Sequence, residues 1–126
     1  MIEQFDKFEI NGEKVNGQLT QGENIADLGG VAVSFTAFQK WLKAHPDFKG
    51  TDQFTPNQRF FLSYGQAWSN HTRDEMAKQL LVMDPHSPGI WRVNGILPNI
   101  PEFLEAFNVK EGDAMYLPPD QRVKIW

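Results

Sequence analysis

Residues 20–44 read T-Q-G-E-N-I-A-D-L-G-G-V-A-V-S-F-T-A-F-Q-K-W-L-K-A, one uninterrupted run with helical spacing. At 100° per residue, Leu28, Val31, Ala32, Phe35, Phe38 and Leu42 form a wide apolar stripe, the mark of a helix packed on a core. Glu23, Asp27, Gly30 and Ser34 fall on a narrower second face. Thr20-Gln21-Gly22-Glu23 fits a capping box, which starts the predicted helix at Thr20, and Pro46 ends it. Gly29 and Gly30 each cost about 1 kcal/mol relative to Ala inside a helix. Such residues imply a close neighbour on the second face, so the helix is expected to be central and covered on more than one side.

Further helices are expected on either side of a polar loop. Thr55-Pro56-Asn57-Gln58 is a second capping box, with Pro at the first helical position. The helix it opens buries Phe60, Phe61, Tyr64 and Trp68. Thr72-Arg73-Asp74-Glu75 opens a third, burying Met76, Ala77, Leu80 and Leu81. Asp84-Pro85-His86-Ser87-Pro88-Gly89 breaks helix. Ile90–Val93 reads as a short strand, and a short helix over 101–107 is capped by Asn99 with Glu102 three residues on. Residues 1–19, with Asn11-Gly12 and Asn16-Gly17, read as irregular or short extended structure. The segment from Gly112 to Trp126 reads as extended. The fold class is mainly α, a single compact domain over 1–126 with short extended segments.

The chain has 126 residues, with 12 Lys and Arg against 16 Asp and Glu, a net charge of −4. A mildly acidic chain without a basic cluster argues against nucleic acid or an anionic membrane surface as partner. No apolar run reaches the ~18 residues of a membrane span. The absence of cysteine excludes disulfides, thiolate catalysis and Cys-based metal sites. A metal would need His, Asp or Glu, and the three histidines, His45, His71 and His86, show no helical ligand spacing.

Two groups of residues carry candidate chemistry. Glu23 and Asp27 lie one turn apart near a helix N-terminus, where acids interact well with the helix dipole. Glu23 is either the capping-box glutamate or a metal ligand, with Asp27 then supporting a liganding histidine. His86 is either a turn histidine bonded to nearby backbone or a rigid N–H donor aimed at developing negative charge. Pro85 and Pro88 stiffen its loop, and Asp84 is available to fix its tautomer. Arg92 is suited to bidentate binding of a carbonyl or carboxylate.

Taken in order, N-G-Q-L-T-Q-G-E-N-I-A-D-L-G-G (16–30), Q-R-F-F-L-S-Y-G-Q-A-W (58–68), D-P-H-S-P-G-I-W-R-V-N-G-I-L-P-N-I-P-E-F-L-E-A-F (84–107) and R-V-K-I-W (122–126) resemble the C-terminal part of the neprilysin-like zinc metallopeptidases. The bacterial members of that family are oligoendopeptidases. The resemblance runs from about residue 3 to the end. It implies the helical C-terminal portion of a gluzincin-type metalloprotease catalytic domain, acting on peptide substrates. It makes Glu23 the third ligand of Zn²⁺ and Asp27 the support of a zinc-binding histidine. It gives His86 to the transition state, with Asp84 orienting it, and Arg92 to the substrate backbone. The family's H-E-x-x-H, which supplies two ligands and the catalytic glutamate, is absent from these 126 residues. The chain is therefore expected to be a fragment that lacks zinc and activity alone and whose partner is the remaining N-terminal part. The missing helix would pack on the Gly30/Ser34 face, or two copies would pair there through Gly30, Ser34, Ala37 and Trp41. A non-catalytic peptide-binding or interaction module is the alternative. The lack of cysteine departs from the disulfide-bonded animal relatives and fits a bacterial cytoplasmic protein, with an extracellular or cell-surface location left open.

Overall fold

The computed structural model describes residues 1–125, so the expectation of an extended Trp126 lies outside the described residues. Helix α1 (Ile2–Phe5) leads into a two-stranded antiparallel hairpin of β1 (Glu9–Ile10) and β2 (Glu13–Lys14). Its register pairs Glu9 with Lys14 and Ile10 with Glu13. Asn11 and Gly12 both have positive φ, 52° and 79°, the geometry that makes Asn-Gly the preferred tight hairpin turn. The segment read as irregular or short extended structure thus holds a short hairpin, as its second alternative has it, together with a helical turn. It also supplies core, with Phe5 and Val15 at 0% and 2% exposure.

Helix α2 runs Gly17–Ala44 for 28 residues, about 42 Å at ~1.5 Å per residue. It starts one turn before the expected Thr20. Asn16 is the N-cap, and its side chain accepts from the Leu19 N–H at 2.9 Å. The Thr20 hydroxyl instead donates to the Asn16 carbonyl at 3.0 Å. The supposed capping box is therefore interior helix, and Glu23 is free of capping duty. The competing cap wins because the Gly17 N–H is also held, by Asp6 Oδ1 at 2.8 Å, which ties α1 to the start of α2. The helix ends at His45, the residue that Pro46 keeps out of helical conformation.

Helices α3 (Pro56–Ala67), α4 (Asp74–Met83), α5 (Gly89–Asn94) and α6 (Pro101–Phe107) complete a mainly α architecture among the described residues. The Thr55/Gln58 capping box forms as expected. At α4 the cap is Arg73, with no side-chain hydrogen bond, and Asp74 and Glu75 interact favourably with the helix dipole. Of the residues assigned to the buried face of α4, Ala77 and Leu81 are buried while Met76 is 51% exposed.

Two expectations fail for tertiary reasons. Ile90–Val93, expected as a strand, lies within α5. The β-branched residues bias it towards a strand, but Pro88 provides the first acceptor, for the Trp91 N–H at 2.8 Å. The Trp91 ring then stacks flat on Phe8, centroids 4.3 Å apart. Asn99 does not cap α6, whose N-cap is Ile100. It is buried, donates to the Gly95 carbonyl and accepts from the Val123 N–H, both at 2.8 Å. It pins the C-terminal segment, which holds a 3₁₀ turn at Pro119–Gln121 where continuous extension was expected.

The core joins Leu28, Val31 and Phe35 of α2 to Phe61 of α3 and Phe103 and Leu104 of α6. Phe61 contacts three other rings, Phe35, Phe60 and Phe103, at centroid distances of 5.1–5.5 Å. The second face of α2 behaves differently. Gly30, Ser34, Ala37 and Trp41 are all exposed. A Cβ added at Gly30 would meet nothing within 4 Å, so no neighbour in this chain accounts for that glycine. No described helix is long and apolar enough to cross a membrane.

Replacing Phe61, 1% exposed, with Ala should lower stability by about 3–5 kcal/mol. Val82→Ala, at a site 78% exposed, should stay within about 0.5 kcal/mol. Urea unfolding of both variants measures the contrast.

Candidate functional site

Glu23 and Asp27 stand one turn apart on α2, so their side chains share a face. They differ in burial, with side-chain exposures of 38% and 10%. Into this face comes Arg92 from α5, itself buried. Its Nε donates to Asp27 Oδ2 at 2.6 Å and its Nη2 to Asp27 Oδ1 at 2.7 Å, a bidentate pair. Nη2 also reaches Glu23 Oε2 at 3.4 Å. Burial pulls the guanidinium pKa down, but the hydrogen bonds and charge of Asp27, then the charge of Glu23, outweigh it and leave it raised.

Helix α3 holds the other side of Arg92. The Trp68 ring lies under the guanidinium, 3.9 Å from Cζ to the centroid, a cation–π contact. The Tyr64 hydroxyl donates to the Arg92 carbonyl at 2.8 Å. Burial, and then the Asp27 charge, push the Tyr64 phenol pKa up, so it stays a donor.

His86 approaches from the loop before α5. Its Nδ1 is 2.6 Å from Asp84 Oδ1, and its backbone N–H donates to the same oxygen at 2.9 Å. The backbone hydrogen bond first, and the ring's second, hold the Asp84 carboxyl below its ordinary value. An ionised carboxylate has no proton to give, so the proton of that hydrogen bond sits on Nδ1. The ring's Nε2 then faces Glu23 Oε2 at 3.3 Å. Beside it, Ser87 is buried and donates to Asn24 Oδ1 at 2.8 Å. Gly89 begins α5 hard against the end of α3. A Cβ there would lie 2.6 Å from the Trp68 carbonyl oxygen, so the position requires glycine.

All five residues singled out in sequence come together in one cluster. Glu23 Oε2 lies between His86 Nε2 and Arg92 Nη2, Asp27 sits beneath Arg92, and Asp84 stands behind His86. Trp68 and Tyr64, read in sequence as core stripe, belong to the site as well. An aromatic stripe at helical spacing carries no sign of which ring will meet a cation. The Asp27–Arg92 pair separates two recesses. One is an open groove of about 570 Å³ whose lining includes Asp27, Gly30, Ser34, Phe38 and Tyr64. The other, about 460 Å³, is lined in part by Trp68, Leu80, His86, Ile90 and Arg92. Among the described residues no three His, Asp or Glu side chains gather as a metal-holding group. Glu23, partly exposed and ionisable, fits one ligand arm of a metal centre and not a closed site.

Asp27→Ala should destabilise by about 3–5 kcal/mol, because it removes both close hydrogen bonds of a buried guanidinium and leaves only the 3.4 Å approach to Glu23; chemical denaturation measures the loss. An NMR titration of Asp84 should give a midpoint below the ~3.9 of an unfolded aspartate. With the folded pKa depressed, the Asp84–His86 clasp contributes fully above the unfolded value. That contribution is lost as pH falls through the folded one. A midpoint at or above the unfolded value would contradict the geometry.

Known proteins are similar to this chain along its whole length. The family description "Peptidase family M13" matches residues 1–123. Human endothelin-converting enzyme 1 is 40% identical over 128 residues, covering all of this chain and 16% of the enzyme. Neprilysin-1 of Caenorhabditis elegans is 40% identical over 135 residues, covering all of this chain and 17% of that protein. The crystal structure of the Mycobacterium tuberculosis zinc metalloprotease Zmp1 with an inhibitor superposes with a TM-score of 0.90 at 37% identity, over 99% of this chain and 20% of that one. PepO from Lactobacillus rhamnosis gives 0.83 at 36% identity, over 100% and 18%. The chain thus spans about a sixth to a fifth of the length of these relatives. By sequence along nearly its whole length and by structure, it belongs to peptidase family M13.

Proposed function

We propose that this chain is part of a zinc-dependent metalloendopeptidase that hydrolyses oligopeptides, and that it supplies one wall of the catalytic centre. The observation that carries this reading is the meeting of Glu23 Oε2 with His86 Nε2 and Arg92 Nη2, at 3.3 Å and 3.4 Å, from segments more than sixty residues apart. A carboxylate, an imidazole and a guanidinium meeting at one point are the groups a peptidase needs for a metal, an oxyanion and a substrate carbonyl. Glu23 would be one ligand. Two histidine ligands and the general base would come from an H-E-x-x-H that this chain does not contain. Bound Zn²⁺ would supply Lewis acidity and activate water.

The remaining roles belong to this chain's own side chains. With Nδ1–H donating a hydrogen bond to Asp84, His86 also donates from Nε2 when the ring is doubly protonated, and so offers both a hydrogen bond and charge to an oxyanion. Arg92 has Nε and Nη2 committed to carboxylates, which leaves Nη1 for a peptide carbonyl. Asp27 acts on the substrate through Arg92 by fixing its plane. The exposed Gly30, Ser34, Ala37 and Trp41 face of α2 would receive the rest of the enzyme. Two copies of the lone chain would associate there, which sedimentation would reveal.

In a full-length enzyme carrying this segment, His86→Phe should lower kcat by ~10²–10³ with little change in KM. Arg92→Ala should raise KM as well, since it grips ground state and transition state alike. An unaltered kcat in His86→Phe would remove the role given to this residue. The 126-residue chain alone should neither bind zinc stoichiometrically by calorimetry nor cleave a fluorogenic peptide. Tight zinc in the lone chain, or activity surviving Glu23→Gln in the complete enzyme, would overturn the assignment of Glu23.

A further inference from the structure

The loop that carries His86 touches α2 at two adjacent points. One is the partly exposed approach of His86 Nε2 to Glu23 Oε2 at 3.3 Å. The other is buried: Ser87, 4% exposed, donates to Oδ1 of Asn24, 0% exposed, at 2.8 Å. The amide is committed on its other side too, for Asn24 Nδ2 donates to Thr20 Oγ1 at 3.0 Å. That hydroxyl donates in turn to the Asn16 carbonyl at 3.0 Å. A directional chain thus runs from the N-cap of α2 through two buried side chains to the residue beside His86. Asn24 follows Glu23 directly and precedes Asp27 by three in the sequence, on the same two turns of α2.

A buried amide bonded through both its oxygen and its nitrogen has one favoured orientation, and a hydrogen bond in that setting tolerates little displacement. Asp84 cannot replace this anchor. Its bonds to His86 tie the loop to the end of α4 and not to α2, which carries Glu23. Pro85 and Pro88 make the loop stiff, so a shift at Ser87 is passed to His86 undamped.

We propose that Asn24 and Ser87 are positioning residues, which set the separation of His86 from Glu23 and hence the aim of the oxyanion donor. The inference rests on the role given to His86 above. Asn24 borders neither recess, and Ser87, at the edge of the smaller one, has its hydroxyl committed to Asn24, so both act through His86. A purely structural role would instead make them ordinary buried polar groups, satisfied by each other. The two cases part on replacement of both. Exchanging both partners for apolar groups of similar shape can be nearly neutral for stability, whereas removing one strands the other.

The test uses the full-length enzyme with Ser87→Ala, Asn24→Leu and the double variant. Each is measured for kcat, KM, zinc content and the Tm of the chelated protein. Ser87→Ala should lower kcat about 10- to 100-fold at near-constant KM and full zinc occupancy, the effect of misplacing a group by up to ~1 Å. In the double variant Tm should recover towards wild type while kcat stays low. The metal-free crystal structure should show the His86–Glu23 separation displaced by roughly 0.5 Å or more, the tolerance of a catalytic arrangement. Recovery of kcat together with Tm in the double variant would overturn the proposal, as would wild-type kcat in Ser87→Ala. If the double variant unfolds, the kcat–KM split of Ser87→Ala decides alone. His86→Phe run in parallel separates the two readings. Normal kcat there overturns the role of His86 and this inference with it. A crippled His86→Phe beside a fully active Ser87→Ala overturns only the positioning role.

Discussion

A guanidinium that cannot lose its proton is enclosed in this chain, and the fold is arranged around that fact. Arg92 meets Asp27 at 2.6 and 2.7 Å, rests on the Trp68 ring and has its own carbonyl held by Tyr64. To satisfy it, α2 must present a carboxylate at one turn, α3 must end with an aromatic face, and α5 must be helical to bring the arginine between them. A buried ion pair is a poor source of stability compared with apolar packing of the same volume. The apolar core is elsewhere, around Phe61, Ile96 and Phe103. The pair is therefore understood through what it orients, and its position between two recesses matches the role proposed for it.

The same logic shows why some of the structure was legible in sequence and some was not. Period and capping are local. They revealed the stripe of α2 and the Thr55 start of α3, whose apolar faces do meet the core. Long-range partners leave no local trace. Asn16 outcompetes Thr20 as cap because Asp6 holds the next N–H, and α5 is helical because Trp91 finds Phe8. Asn99 turns from cap to pin because Val123 comes to meet it. Capping also offered a false explanation of Glu23, which the true start at Gly17 removes. The candidate residues themselves were identified by motif resemblance, with spacing alone leaving Glu23 and His86 ambiguous. Spacing could not have paired Arg92 with Asp27 across 65 positions.

The site is two-sided in its mechanics. On one side, Arg92 is fixed by charge, ring and carbonyl. On the other, His86 is fixed by Asp84 within its loop and, through its neighbour, by the interior of α2. Glu23 lies between them with a side chain more than a third exposed. Its two contacts, at 3.3 and 3.4 Å, are longer than those that hold Asp27 and Asp84, and in the proposed function it is the group that turns towards a metal. A rigid surround with one adjustable carboxylate is a sensible division for a centre shared between separate parts of a protein.

Gly89 gives this arrangement an unexpected point of weakness. Both anchored halves are referred to the same junction, where the first residue of α5 lies against the last carbonyl of α3's final turn. A single added methyl there would have to move backbone, since the atom it meets is the Trp68 oxygen and not a flexible side-chain tip. That movement would part Trp68 from Arg92 and shift the histidine loop as well. A lineage carrying this segment could keep every charged residue and still lose the alignment through one codon. Inheritance of the site thus depends on a residue with no functional group at all.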